Sequence, residues 1–326
     1  MNILFIIGNG FDLNLNLKTS YLDFCKFYQK QESPTKAIES LKNEISKDIE
    51  NWSDLELALG KYSKKVESPS IFLEIFEDIG DKLSEYLIEQ EFNFDYTKIN
   101  DGALENDLIN PEDYLLERDK ERLLSFINKF GRTQHQTNII TFNYTNILEK
   151  ILEYDHSQIK LGSHGNNLVM LQRIEHVHGY SKRRMVMGVN DISQILNEKF
   201  RTDQSLIDAF VKTICNQVQK HMIDDWCGQK ISQANVICIF GSSLGLTDSF
   251  WWQKIGKQLR NDCRLVIFKK EKDIPPNREY RIGELERNIR NDFLDKADIS
   301  EDEKKIIEEK IFIGINREVF KLVESE

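Results

Sequence analysis

The stretch Asn138–Glu149, NIITFNYTNILE, decides how the fold is interpreted. Its apolar first part, Asn138–Phe142, predicts a buried strand, and two amide side chains, Asn143 and Asn146, follow before a helical pattern begins. A strand that ends in Asn places a polar side chain at the carboxyl edge of a sheet, which is where open α/β sheets bind ligands. The alternative is that Asn143 or Thr145 only caps the following helix. Other segments of the chain favour the first interpretation.

The composition is typical of a soluble globular protein. The chain has 326 residues, of which 40% are hydrophobic and 30% are charged, so it can form one large α/β domain with an insertion. The net charge of −10 argues against a nucleic-acid-binding surface, because such a surface needs a basic patch. No stretch approaches the ~20 apolar residues of a membrane span. We therefore expect neither a nucleic acid nor a membrane as a partner.

The cysteines and the first residues indicate the compartment. The five cysteines form no C-x-x-C pair. An odd, scattered set of this kind predicts reduced core thiols and no zinc ribbon. The apolar run Ile3–Ile7 is too short for a signal peptide, and no basic residue precedes it. The expectation is a cytoplasmic protein.

A second strand–loop junction lies near the start of the chain. Residues Asn2–Ile7, NILFII, form a continuous apolar run typical of a strand buried on both faces, and Gly8–Asp12, GNGFD, follows directly. The two glycines allow a tight turn and close approach of backbone N–H groups to a phosphate. Because the third glycine of the dinucleotide fingerprint is missing, an ordinary strand-to-loop turn is the alternative. Asp12 either faces a ribose hydroxyl or braces the loop.

A third junction repeats this pattern later in the chain. Residues Asn235–Phe240, NVICIF, predict a buried strand, and the small residues Gly241–Gly245 follow it. Asp248 comes just beyond them, before an aromatic helix start. This turn is a second candidate cradle for a phosphate or a ribose.

Two histidines lie in a fourth candidate segment. Ile174–Gly179, IEHVHG, predicts a strand that ends at its glycine. His176 and His178 flank one residue of that strand, so they project from the same face, and at least one is a candidate to line a polar site. The sequence offers no third ligand at a matching spacing, so we expect no metal site.

The remaining pattern predicts one domain, 1–326, with an inserted helical cap. Helical periodicity fills residues 39–130, between the first two predicted strands, and is interpreted as an insertion over the ligand edge of the sheet. Asp54 and Glu56, within it, are interpreted mainly as a solvated helix face. Further predicted elements are a short strand, a long amphipathic helix, a strand and an edge strand: Met185–Gly188, Ile207–Trp226, Arg264–Phe268 and Ile311–Ile313.

Several motifs, taken in order, resemble the AbiH family of bacterial phage abortive-infection proteins: IIGNGFD, WSDLE, TFNYT, HVHG and IFGSSLGLTD. More distantly, the series is similar to the sirtuin superfamily, with its GAG turn, TQN-type turn, HG pair and GTSL turn. Asn143 falls on the Asn of the TQN-type turn, and His178 falls on the His of HG. The resemblance implies a Rossmann-like parallel sheet (sirtuin-like) with a helical insertion, and NAD as the ligand.

The resemblance also implies a reaction, the cleavage of the bond between nicotinamide and ribose. Asn143 and His178 are then the catalytic residues, the first to orient a ribose hydroxyl or a water and the second to accept a proton. The paired C-x-x-C motifs that follow HG in sirtuins are missing here, which favours hydrolysis of NAD itself over deacylation of a peptide. The residues expected to bind the dinucleotide are Gly8, Asn9, Gly10, Phe11, Asp12, Gly241, Ser242, Ser243 and Asp248.

Three interpretations of function follow from these residues. The leading one is an NAD glycohydrolase that acts in phage defence. A rival is a non-catalytic sensor or scaffold that binds a nucleotide or ADP-ribose. In a third, Asp12, Asp54 and Glu56 converge with His178 on a different N-glycosidic substrate. The expected partners are NAD or a related nucleotide, a phage trigger protein and a second copy of the chain.

Overall fold

A seven-stranded sheet forms the centre of the protein. The structure, a computed structural model, describes residues 1–323. The strands are β1 Asn2–Ile7, β2 His135–Thr141, β3 Ile159–His164, β4 Asn167–His176, β5 Val236–Phe240, β6 Arg264–Lys269 and β7 Ile311–Ile315. Their order is β3-β4-β2-β1-β5-β6-β7, and all neighbours are parallel except β3 and β4. The predicted α/β class with a mostly parallel sheet is confirmed.

The chain reverses its direction across the sheet next to β1. From β1 it runs outward through β2 to β4 on one side, and it then returns to form β5, β6 and β7 on the other side. The loops that follow β1 and β5 therefore leave neighbouring strands toward opposite sides. In open α/β sheets, ligands bind in the crevice that such a reversal creates.

Helices cover both faces of this sheet and one of its ends. The α-helices of the described residues are α1 Gly10–Asn14, α2 Tyr21–Tyr28, α3 Lys36–Lys47, α4 Leu55–Tyr62, α5 Pro69–Phe92, α6 Ala103–Ile109, α7 Glu117–Asn128, α8 Ile147–Ile151, α9 Gln204–Phe210, α10 Lys212–Val218, α11 Ile223–Gln233, α12 Ser249–Leu259, α13 Arg281–Lys296 and α14 Glu301–Ile307.

Alternate side chains of β1 enter two different cores, because successive residues of a strand point to opposite faces. Ile3, Phe5 and Ile7 face a core that is completed by α6, α7 and α8. Leu4 and Ile6 face a second core, completed by α11, α12 and α13. The sheet is thus buried between two helical layers, which explains the continuous apolar runs of its central strands.

A third core is separate from the sheet. Helices α2, α3, α4 and α5 pack with residues 185–211, and we call this block the cap. The interval 39–130, predicted as one insertion, therefore consists of two different parts. Its first part, α3 to α5, belongs to the cap, whereas α6 and α7 pack on the sheet.

Most predicted strands are present with shifted ends, but one is wrong and one was missed. Met185–Gly188 is not a strand. Its backbone is irregular because Gly188 has a φ of +149° and donates its N–H to the Glu56 carboxylate at 3.0 Å. β3 was not predicted, because it is an edge strand without a continuous apolar run. The predicted edge strand Ile311–Ile313 is confirmed as β7.

The predicted long helix Ile207–Trp226 is also wrong, since the chain forms α9, α10 and α11 there. At the first break Val211 is extended, and the Lys212 amide donates to the Val189 carbonyl oxygen at 3.0 Å. At the second break Lys220 has a φ of +57°. The hydrophobic periodicity of the sequence runs through both breaks and so did not reveal them, although Val218 and Met222, two residues of that stripe, are exposed in the structure.

Three further expectations concern membranes, cysteines and metals. Within residues 1–323, no helix is both long and apolar enough to cross a membrane. All five cysteines are buried and unpaired, in agreement with the prediction of core thiols. In the same part of the chain, no cluster of three or more His, Cys, Asp and Glu side chains is placed to hold a metal ion.

Candidate functional site

A cavity of about 890 Å³ lies at the carboxyl ends of β1, β2 and β5, where the sheet meets the cap. Its sheet side includes the loops that follow these strands together with residues at the ends of β4, β6 and β7, and its cap side includes residues of α2, α4 and α5. All of the predicted site residues except Phe11 line it: Gly8, Asn9, Gly10, Asp12, Asn143, His178, Gly241, Ser242, Ser243 and Asp248. The structure thus brings four distant chain segments to one place.

The side chains of Phe11 and Asn9 make contacts within the protein. The ring of Phe11 is fully buried and packs edge-on against Phe320 at 5.8 Å, so it belongs to the core. Asn9 lines the cavity, but its Nδ2 donates to the Thr19 carbonyl oxygen at 3.0 Å and its Oδ1 accepts from the Thr19 hydroxyl at 2.7 Å. The ring of Phe11 therefore does not line the cavity, and Thr19 fixes the orientation of the Asn9 amide.

Three glycines let the loops after β1 and β5 touch backbone to backbone. A Cβ atom on Gly10 would lie 2.4 Å from the Cα of Gly241, and one on Gly8 would lie 2.7 Å from the Gly241 oxygen. The amides of Gly8, Gly10 and Phe11 donate to protein carbonyls, so they are not free for a phosphate, contrary to the expectation. These glycines serve the close approach of the two loops.

Replacing one of these glycines is expected to be costly. Gly10→Ala forces the two loops apart, and we expect it to lower the free energy of unfolding by about 1–3 kcal/mol. Gly80→Ala is the matched control, because a Cβ atom there meets nothing within 4 Å in the middle of α5. That variant should gain roughly 0.5–1 kcal/mol. Urea unfolding followed by circular dichroism measures both changes, and equal changes would contradict the close-approach role.

Asp12 connects the loop after β1 to the loop after β2. Its carboxylate accepts from Asn143 Nδ2 at 2.9 Å and from the Thr145 hydroxyl at 2.6 Å. Asn143 and Thr145 therefore do not cap α8, whose N-terminus has no side-chain cap. Because the amide nitrogen is held by Asp12, the oxygen of Asn143 is the free end, and this atom is buried without a protein partner.

The Asp12 carboxyl gives the protein a pH-dependent stability. Burial raises its pKa from 3.8 to about 7. The proton bound to Asp12 stabilises the folded protein. This stabilisation is complete below the pKa that Asp12 has in the unfolded chain, and it is lost as the pH rises through 7. Between pH 6 and 8, the wild type should therefore lose roughly 1 kcal/mol that Asp12→Asn does not lose. Urea unfolding of both proteins at the two pH values tests this, and parallel losses would contradict it.

Four titratable side chains form a hydrogen-bonded chain at the cavity: His178, Asp248, Lys212 and Glu56. Nε2 of His178 and Nζ of Lys212 each lie 3.0 Å from Oδ1 of Asp248. Nζ of Lys212 also lies 2.7 Å from Oε2 of Glu56. The other ring nitrogen, Nδ1 of His178, is buried without a protein partner. The series of hydrogen bonds therefore ends at a ring nitrogen that has no hydrogen-bond partner in the protein.

Burial and mutual charge interactions determine the protonation states of these four side chains. Burial lowers the pKa of His178, and the Lys212 ammonium lowers it further. Burial alone would raise the pKa of Asp248, but the Lys212 ammonium holds it far below its ordinary value. Burial raises the pKa of Glu56. At pH 7 we therefore expect a charged lysine, an ionised Asp248 and a neutral histidine.

The sequence did not identify Lys212 as a site residue, and it brought Glu56 to the site only in the third interpretation, whose residues Asp12, Asp54, Glu56 and His178 all line the cavity. Glu56 was assigned to a solvated helix face, but it is buried and turned toward the cavity. Lys212 lies in the mostly apolar segment 210–215, and it is also buried. A lysine among apolar residues was the sequence feature that could have pointed to this site, because a fully buried lysine is almost always paired with an opposite charge. Asp54 lines the cavity too, and its carboxylate caps α4 through the Leu57 amide at 3.0 Å.

The two histidines of the fourth segment do not share a site, contrary to the expectation of a common strand face. β4 ends at His176, and the following two residues form a turn. Nδ1 of His176 donates to the Asn143 carbonyl oxygen at 2.8 Å, and its Nε2 contacts the Glu149 carboxylate. His176 thus fixes the backbone of the Asn143 loop, whereas His178 lines the cavity.

The comparison with family models decides what this chain is related to. A model described as bacteriophage abortive infection AbiH matches residues 4–269. The chain belongs to the AbiH family. Membership in the AbiH family implies a role in the abortive infection of bacteriophage. Comparisons with curated proteins and with solved structures found no match, so the distant similarity to sirtuins stays a prediction.

The AbiH match includes every cavity segment described above and ends at the last residue of β6. The part of the chain beyond the match also contributes to the cavity. Asn316, Arg317 and Val319, which follow β7, line it. The cavity is therefore built by the AbiH region together with the residues that follow β7.

Proposed function

We propose that this AbiH-family protein binds NAD in the cavity and hydrolyses the nicotinamide–ribose bond during phage infection. The proposal rests on one observation, that two residues lining the same cavity each have a buried acceptor without a protein partner. These atoms are Oδ1 of Asn143 and Nδ1 of His178. Buried polar groups are nearly always hydrogen bonded. The hydroxyls of a ribose, or a water held beside it, would satisfy both.

The strand order supports a Rossmann-like architecture and a dinucleotide as the ligand. The six parallel strands, β4-β2-β1-β5-β6-β7, follow the order of the doubly wound fold that binds dinucleotides beside its first strand. The cavity occupies the corresponding position. Its volume of about 890 Å³ falls within the range of roughly 300–1,000 Å³ that is typical of small-molecule sites.

The diphosphate of NAD would meet side-chain cations in this arrangement. The amides of Gly8 and Gly10 already donate within the protein. Lys269, Lys270 and Arg317, at the ends of β6 and β7, line the same cavity. Charged donors of this kind bind phosphate oxygens strongly. The proposal therefore moves the phosphate contacts from the amides of Gly8 and Gly10 to the ends of these two strands.

The chemistry of hydrolysis suits the residues around the cavity. A water oxygen attacks C1′ of the ribose while the bond from C1′ to the nicotinamide nitrogen breaks, and the electron pair of that bond stays on the nicotinamide ring. Nδ1 of His178 accepts the proton of the water, and Oδ1 of Asn143 orients the water or a ribose hydroxyl. The ribose becomes positively charged in the transition state. The carboxylates around the cavity stabilise that charge.

The proposal predicts a loss of NAD in infected cells. Bacteria that carry the wild-type chain, challenged with a phage that it restricts, should lose most of their NAD and accumulate nicotinamide. Cells with Asn143→Ala should keep their NAD, because the water or ribose is no longer oriented. Asn128→Ala, at an exposed position of α7, is the matched control and should behave like the wild type. Restriction of the phage by the wild type with unchanged NAD would contradict the proposal.

A further inference from the structure

The chain of hydrogen bonds that ends at His178 is built from four separate parts of the fold. Glu56 lies in α4 of the cap, and Lys212 is the first residue of α10. Asp248 precedes α12, and His178 lies in the turn after β4. Since each link is 2.7–3.0 Å long, the cap and the sheet edge are connected to the ring of one histidine.

The chemistry of these groups fixes where the proton of His178 lies. An ionised carboxylate only accepts hydrogen bonds, so the nitrogen that faces Asp248 must carry the hydrogen. That nitrogen is Nε2, at 3.0 Å. In a neutral ring the other nitrogen then has no hydrogen and presents a lone pair. This second nitrogen, Nδ1, is the buried atom without a protein partner.

Other groups around the ring do not replace Lys212. The rings of Phe142 and Tyr144 lie 5.4 and 6.4 Å from the His178 ring, and neither carries a positive charge. The guanidinium of Arg184 also lowers the pKa of His178, but less than Lys212 does. Arg184 donates to the His176 carbonyl oxygen at 2.9 Å. Lys212 is the cation that shares an oxygen atom of Asp248 with the histidine.

We propose that Asp248 and Lys212 are positioning residues for His178. Asp248 keeps the proton on Nε2, and Lys212, held by Glu56, keeps the ring neutral, so that Nδ1 is the proton acceptor. This inference deepens the proposed hydrolysis and rests on it for the use of Nδ1. The position of the proton and the charge of the ring are properties of the protein without substrate. Asp248, expected from the sequence to bind the dinucleotide, acts here through the histidine.

Nitrogen-15 NMR of protein with labelled histidine measures both properties. The signal of His178 is assigned by its loss in His178→Gln. In the wild type at pH 7.5 we expect a neutral ring with the proton on Nε2. A double variant, Lys212→Met with Glu56→Gln, removes the cation and one carboxylate together, so that no unpaired charge is left at Glu56. The titration midpoint of its His178 should be higher than in the wild type by about 1–3 pH units.

Two further variants separate the roles of the residues. Adding Asp248→Asn to the double variant removes the anion that stabilises the imidazolium, so the titration midpoint of His178 should fall again. Lys304→Met is the matched control, because Lys304 also bridges two carboxylates, Asp295 and Glu301, at 2.6 Å each, but far from the cavity in α14. This control should leave the His178 signals unchanged.

The outcomes that would overturn the inference are distinct from failure of the proposed hydrolysis. A wild-type ring with its proton on Nδ1 would overturn the role of Asp248, and a wild-type imidazolium at pH 7.5 would overturn the role of Lys212. An unchanged midpoint in the double variant would overturn the role of Lys212. None of these spectra needs NAD turnover, so a protein that binds NAD and returns it intact can still confirm the proton position.

Discussion

Replacing His178 by alanine is expected to lower the rate of NAD hydrolysis by roughly 10²–10⁴-fold at saturating NAD, because the variant has no group to accept the proton of the attacking water. The affinity for NAD should change much less, since the imidazole is one contact among many around a cavity of about 890 Å³. Release of nicotinamide from purified, active protein measures the rate. Binding is measured separately by titration calorimetry with a hydrolysis-resistant NAD analogue.

The control for this prediction is another histidine with no contact to the cavity. His221 is exposed in the segment between α10 and α11, so His221→Ala should keep the wild-type rate. Full turnover by His178→Ala would remove the histidine from the mechanism. An equal loss in both variants would show that the effect is not specific to the cavity.

Lys212→Met is expected to lower the free energy of unfolding by about 3–5 kcal/mol, because it leaves the buried carboxyl group of Glu56 and the partly buried one of Asp248 without their cation. The ammonium lies 2.7 Å from Glu56 and 3.0 Å from Asp248, and its side chain is 6% exposed. Removing one member of such a buried group is costly even where the complete group adds little net stability. Equilibrium unfolding in urea at pH 7.5 measures the change.

The matched surface variant is Lys304→Met, which removes a half-buried lysine that also bridges two carboxylates, both of them exposed. It should change stability far less than Lys212→Met, because solvent and salt screen exposed ion pairs. Adding Glu56→Gln to Lys212→Met should restore part of the lost stability, since a neutral amide needs no cation. A small loss in Lys212→Met, comparable to that of Lys304→Met, would contradict the burial of this charge group.

The central sheet could be predicted from the sequence because its central strands are buried on both faces. NILFII and NVICIF are continuous apolar runs for this reason, and their ends are marked by glycines. β3 could not be predicted in the same way, since an edge strand needs no continuous apolar run. The histidine turn was assigned to a strand because alternation around Val177 continues past the true end of β4 at His176.

The site was predictable where a polar residue follows a strand, as at Asn143 and Asp12. It was not predictable where the decisive contact joins the cap to the sheet. Lys212 reaches the cavity because Val211 pairs with Val189 and breaks the helix. That pairing joins residues far apart in sequence and leaves no local signal, so periodicity alone could not place this charge.

The most direct test of the central claim is a mass balance on NAD with purified protein. The chain is isolated from unchallenged and from phage-challenged cells, incubated with NAD, and the products are quantified by chromatography. We predict that protein from challenged cells releases nicotinamide and ADP-ribose in equal amounts, and that Asn143→Ala releases neither. Saturable binding in both preparations with all of the NAD recovered intact would contradict hydrolysis and would favour the nucleotide-sensor interpretation.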